Sequence, residues 1–147
     1  MKIIHLVNTD LKGGAARAAF RLHTNLIEKN IDSMMCVGYK FSNDLNVIGP
    51  KNFFKKIFER IRPKIESYFN KIFGINTTLP FSLGFFRNKR LLKKINKLNP
   101  DIIHIHWIGG GFFSVKDIYK LKAKIVWSLH DNWAFTGGCH IKIKCNN

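Results

Sequence analysis

Acidic side chains are scarce: nine Asp and Glu stand against 25 Lys and Arg among 147 residues, a formal charge of +16. So one-sided a balance directs any large partner toward the anions: a phosphate-bearing substrate, a membrane surface or a nucleic acid. Cysteine is thin as well, three residues and an odd number, which excludes a disulfide framework and reads as free thiols in a reducing cytosol. Long apolar runs are missing: none approaches the roughly 20 residues needed to span a bilayer. The N-terminus MKIIHLVNTD turns polar too early for a leader peptide. Repeats and low-complexity tracts are likewise absent. What is present, 46% hydrophobic and 13% aromatic residues, is enough for one folded domain.

The local patterns give an α/β rhythm. Lys2 to Val7 (KIIHLV) reads as a buried strand running into the turn formers Asn8 to Gly14. From Ala15 to about Lys29 apolar positions recur at helical spacing, with Asn30 as a left-handed cap. Asp32 to Val37 is the next strand, which completes a parallel βαβ unit. Lys51 to Phe73 carries an apolar stripe through Phe54, Ile57, Phe58, Ile61, Ile65, Tyr68, Phe69, Ile72 and Phe73, with Lys and Arg on the other face. Pro63 predicts a break there, with a second helix starting at the proline. Arg87 to Leu98 is a basic helix ending at Asn99-Pro100. Asp101 to Trp107 is a buried strand before Gly109-Gly110-Gly111. Ser114 to Leu121 is a helix in which Ser114 and Asp117 have capping-box spacing, and Lys124 to Leu129 is a last strand leading to His130-Asp131. The fold class is α/β, a Rossmann-like parallel sheet with flanking helices and a basic amphipathic helical insertion over 51–98.

Three polar clusters fall at strand carboxyl ends, where open parallel sheets bind ligands: Asn8 through Gly14, His104 through Gly111, and His130-Asp131. Gly13 and Gly14 let backbone approach an anion at a helix start, although the spacing is neither GxGxxG nor a P-loop. Arg17, one turn into that helix, faces a phosphate or solvent. His104 and His106 share a strand face, but the barrels that hold metal on such a pair need roughly 250 residues. His104 therefore reads as a buried histidine and His106 as a pocket residue, with no metal. His130 and Asp131 have the types of a base and its orienting carboxylate, provided the strand has ended. Cys139, His140 and Cys145 make half a zinc site at most. The basic, Phe-rich 51–73 stretch has the composition of a helix in a membrane interface or of an ordinary amphipathic pair packed on the sheet. No pattern specifies nucleic acid.

The strings KIIHLVNTDLKGGAARAAFRLHTNL, PDIIHIHWIGGGF and KIVWSLHDNWAFTGGCH resemble the N-terminal half of bacterial glycosyltransferases of family four, retaining enzymes of the GT-B architecture that build surface polysaccharides. The resemblance spans most of the chain and is weakest between about Phe41 and Lys89. It implies an acceptor-side domain over 1–147 and a nucleotide-sugar donor held by a C-terminal domain that these residues lack, so the chain alone is expected to transfer no sugar. Cofactors are not implied. By position, Gly13 and Gly14 correspond to the turn facing the donor pyrophosphate and His130 to the histidine touching the donor sugar. Asp131, Trp133, His106 and Trp107 correspond to the acceptor side. A glycan or lipid-linked acceptor and the inner face of the plasma membrane, reached peripherally from the cytoplasm, complete the expectation. The competing expectation is a non-catalytic basic module that binds anionic membrane or nucleic acid through Lys51 to Leu98.

Overall fold

The computed structural model describes residues 1–50, 53–73 and 81–141, apart from the side chains of 53–56 and 59. Cys145 and the side chain of Phe54 therefore lie outside the described residues. The framework is a five-stranded, all-parallel sheet flanked by helices. Its strands are β1 (Lys2–Thr9), β2 (Asp32–Tyr39), β3 (Val47–Ile48), β4 (Ile102–Ile105) and β5 (Lys124–Trp127), in the spatial order β3-β2-β1-β4-β5. This is a Rossmann-like arrangement: the chain winds outward from β1 in one direction, then crosses back and winds outward in the other. The two-residue β3 carries no pattern of its own. It forms where Val47 and Ile48 pair with Met35 and Cys36.

Period-two alternation sorts the sheet into two faces. Ile4, Leu6, Ile103 and Ile105 point into a core completed by Phe112, Phe113 and by Leu92 and Ile95 of helix α3 (Lys89–Lys97). On the other face Val7, Met35 and Val37 pack against Ala16 and Ala19 of helix α1 (Gly14–Glu28). Two asparagines in the left-handed region end helices, Asn30 (φ 59°) after α1 and Asn99 (φ 47°) after α3. His5, His104 and His106 fall on the α1 face, because they alternate with the isoleucines and leucine of the other core.

Helix α2 (Phe53–Ile72) corrects one expectation and bears on an open one. It runs continuously through Pro63 rather than restarting there. Pro63 is exposed, on the side of the helix where the hydrogen bond a proline removes is replaced by water at least cost. The apolar stripe is only partly turned to the domain, through the half-buried Ile65 and Phe69, the latter edge-on to Phe85. Arg62, Glu66 and Asn70, at four-residue steps, are the buried side chains, whereas Ile57, Phe58, Ile61, Tyr68, Ile72 and Phe73 are exposed.

This polar seam has a physical reason: it satisfies loop backbone that no strand pairs. Arg62 Nη1 donates to the carbonyls of Gly111 and Phe112, each at 3.3 Å. Asn70 donates to Phe81 O, and Gly84 N donates to Glu66 Oε1 at 3.1 Å. Burial pushes the Glu66 carboxyl up, against the Gly84 amide that favours its charge. Among the described residues no helix is long and apolar enough to cross a membrane.

The helix after β4 is a single turn, α4 (Val115–Ile118). Ser114 caps it by accepting from Asp117 N at 3.1 Å. Asp117 does not complete the expected box; its buried carboxylate takes Asn88 N at 2.7 Å and Arg87 Nε at 3.1 Å, which ties the start of α3 to the β4 loop.

Candidate functional site

Between the carboxyl ends of β1 and β4 the winding reverses, which opens a crevice at the switch point of the sheet. A cavity of about 430 Å³ lies there, lined among others by Lys12, Gly13, Gly14, Trp107 and His130. Residues from three expected clusters thus meet in one cavity. Gly13 has φ 93°, which a side chain would oppose, and a Cβ at Gly13 or Gly14 would meet no atom within 4 Å. The turn therefore presents bare backbone to open space. It leads into α1, whose first turn has neither a side-chain cap nor an acidic residue, so its amides and positive dipole end are available to an anion.

Behind His130 stands a row of imidazoles. His106 Nδ1 lies 3.0 Å from His130 Nε2, and His106 Nε2 lies 3.2 Å from His5 Nδ1. The register of the parallel strands produces this, since His5 pairs with His104 across β1 and β4 and His106 follows two residues later on the same face. Burial, followed by the neighbouring imidazoles, lowers His5 and His106 to about 3. Both rings are neutral at physiological pH, and each contact then holds one proton between two nitrogens. His104 is half-buried and bonds Ser128 Oγ at 2.8 Å; His106, expected in the pocket, is the more buried of the two.

Asp131 serves a different set. Trp107 Nε1 donates to its Oδ2 at 2.8 Å and Trp133 N to its Oδ1 at 3.0 Å, and His140 Nδ1 meets the same Oδ2. Its partners are thus the two tryptophans and His140, while His106 is the group that engages the His130 ring. His140 Nε2 pairs with Ser82 Oγ, which also accepts from Gly110 N at 3.1 Å. The Trp107 indole that lines the cavity is therefore braced by a carboxylate that is braced in turn.

The remaining candidates separate. Arg17 is exposed on α1 and does not line the cavity. Trp133, at the start of the single-turn helix α5 (Trp133–Thr136), is buried in the core with its Nε1 on Ser82 O at 2.7 Å. The nearest approach to a metal-ligand set among the described residues is His5, His104 and His106, whose ligand atoms lie within 4.8 Å of one another. As they stand, His5 and His106 face each other and His104 faces Ser128, an array held by hydrogen bonds. His140 spends both nitrogens on Asp131, Trp107 and Ser82, and Cys36 is a buried thiol pushed up to about 12. His5, Ser82 and His140 are the supports that sequence reasoning did not assign to the site. His5 leaves a trace as a lone histidine inside an otherwise apolar strand, and His140 stands out in the sequence only beside Cys139 and Cys145, as a metal-ligand type.

No family model, no curated protein and no solved structure matches the chain.

Proposed function

We propose that this chain is the acceptor-side domain of a retaining, family-four-like glycosyltransferase of GT-B architecture, transferring a sugar from a nucleotide-sugar donor to a glycan or lipid-linked acceptor. The observation that carries the reading is the switch-point cavity, in which a bare glycine turn, an uncapped helix start, an indole and a strand-end imidazole face one space. Backbone amides and a helix dipole suit a pyrophosphate; a ring N–H or nitrogen suits a sugar hydroxyl. The Trp107 face supplies the flat apolar surface on which a sugar ring stacks. The reading assigns the chemistry no carboxylate pair, and it leaves Asp131 as the brace of Trp107.

The test is transfer of a labelled sugar from nucleotide-sugar donors by this domain joined to a donor-binding C-terminal domain. Transfer with retained anomeric configuration, lost in His130→Ala, is the expected result. Transfer that survives His130→Ala and Gly14→Val unchanged would overturn it.

The exposed side chains of α2 support placing the domain at an anionic membrane surface. Ile57, Phe58, Ile61, Tyr68 and Ile72 are exposed on a helix that also carries Arg60, Lys64 and Lys71, and Phe73 is exposed just after it. Aliphatic exposure of this kind suits an interfacial bilayer helix rather than a nucleic-acid surface, where cations and stacking rings would suffice. The competing reading, a purely basic binding module, draws on the same helix but leaves the switch-point cavity without a role.

A further inference from the structure

A second cavity, of about 600 Å³, opens at the carboxyl ends of β2 and β3, between α2 and α3. Gly38 and Gly49 belong to its strand side. Arg62 enters from α2, Arg87 from just before α3, and Lys89, Arg90 and Lys94 from α3 itself. Among the described residues that line it, none is acidic.

Two of these cations are held in place by the fold. Arg87 donates Nε to the buried Asp117 carboxylate at 3.1 Å, and Arg62 is anchored on the carbonyls of Gly111 and Phe112. Arg90 and Lys94 stand four residues apart and so share one face of α3, a helix with no acidic residue in its first turn. Asp117 offsets Arg87, but Arg62, Lys89, Arg90 and Lys94 still bring positive charge to one cavity, and a ligand with several anionic oxygens relieves their repulsion better than a single carboxylate. Ile48, Pro50, Phe58 and Leu91 add an apolar lining, which a bare inorganic ion would leave unused.

We infer that this cavity binds a phosphate or diphosphate group carried on an apolar chain. The inference deepens the glycosyltransferase reading, and rests on it only in identifying that ligand as the sugar acceptor; the anion site itself rests on the cavity and its cations. It is separate from the switch-point cavity, with which it shares no lining residue.

The experiment is an amide-shift titration of the whole chain with two probes, inorganic pyrophosphate and farnesyl diphosphate, at physiological salt. Saturable shifts are expected at the amides of Gly38, Gly49 and Asn88. Arg90→Gln combined with Lys94→Gln should weaken binding by about tenfold or more, the loss of two charge-assisted contacts. Lys116→Gln combined with Lys120→Gln, which removes the same charge from exposed positions elsewhere, should not. Equal weakening by the two pairs, or shifts confined to Gly13 and Gly14, would overturn the site. Tighter binding of farnesyl diphosphate than of pyrophosphate supports the apolar chain; equal affinity would overturn that half and assign a soluble phosphate ligand. Because binding is read without catalysis, failure here leaves transfer at the His130 cavity standing, and failed transfer leaves this site standing.

Discussion

His106 sits between two other imidazoles, its Nδ1 3.0 Å from His130 and its Nε2 3.2 Å from His5. Two proton arrangements fit three neutral rings. In one, His130 donates to His106 and His106 to His5, which leaves an N–H on His5 Nε2, a buried atom without a hydrogen-bond partner. In the other, His5 donates from Nδ1 and His106 from Nδ1, and only a bare lone pair is left there. Buried orphan donors are the rarer defect, so the second arrangement holds, and a neutral His130 carries its proton on Nδ1. Long-range nitrogen-15 spectra of the ring protons should show His5, His106 and His130 all as Nδ1–H tautomers. Nε2–H tautomers at these three rings would contradict the chain.

The same burial makes stability depend on pH. His5 and His106 fall from the usual 6.5 to about 3 in the folded protein. The unfolded chain therefore binds more protons below pH 6.5, and stability is complete above that value and lost as pH falls from about 6.5 toward 3. Each ring contributes a slope of about 1.4 kcal/mol per pH unit in that window. Urea unfolding at pH 7.5 and 4.5 should differ by several kcal/mol, up to about 5, and His106→Asn should flatten the difference. Equal stability at the two pH values would contradict the neutral, buried row.

Asp131 should matter for stability as much as for chemistry. Its carboxylate accepts from Trp107, Trp133 and His140, so Asp131→Ala removes three hydrogen bonds, takes the partner of Trp133 N and leaves Trp107 Nε1 and His140 Nδ1 only each other. A loss of about 2–3 kcal/mol is expected, with part restored by Asp131→Asn. A change below about 0.5 kcal/mol in chemical unfolding would remove Asp131 from its bracing role.

The exposed aromatic residues of α2 should set membrane affinity without setting stability. Tyr68→Ser with Phe73→Ser should leave the unfolding midpoint in place and weaken binding to anionic vesicles by about tenfold, as expected for two half-immersed rings. Raising salt should weaken it further. Equal sedimentation with neutral and anionic vesicles would contradict the electrostatic part.

Much of this was legible in the sequence because it is local. The βαβ unit follows from a short, mostly apolar strand, a glycine turn and a helical repeat, and the carboxyl-end clusters follow from where the apolar runs stop. What escaped is set by tertiary contact. Val47–Ile48 is a strand only because Met35 and Cys36 lie beside it. The apolar stripe of α2 reads as buried under ordinary amphipathicity, but unpaired loop carbonyls at Phe81, Gly111 and Phe112 demand polar donors, and Arg62 and Asn70 supply them. His5 joins the site through a strand register that spacing along the chain does not encode. His130 and Asp131, adjacent in sequence, serve different networks although β5 has ended before them, because tertiary partners claim each side chain: His106 takes His130, and Trp107, Trp133 and His140 take Asp131.

The most direct measurement is sugar transfer from labelled nucleotide-sugar donors by this domain joined to a donor-binding partner domain, comparing the wild-type sequence with His130→Ala. Transfer with retention of configuration, reduced at least about a hundredfold by the substitution, is expected if the switch-point cavity holds the reacting sugar. Transfer at an unchanged rate in His130→Ala would contradict the assignment of the reacting sugar to the switch-point cavity.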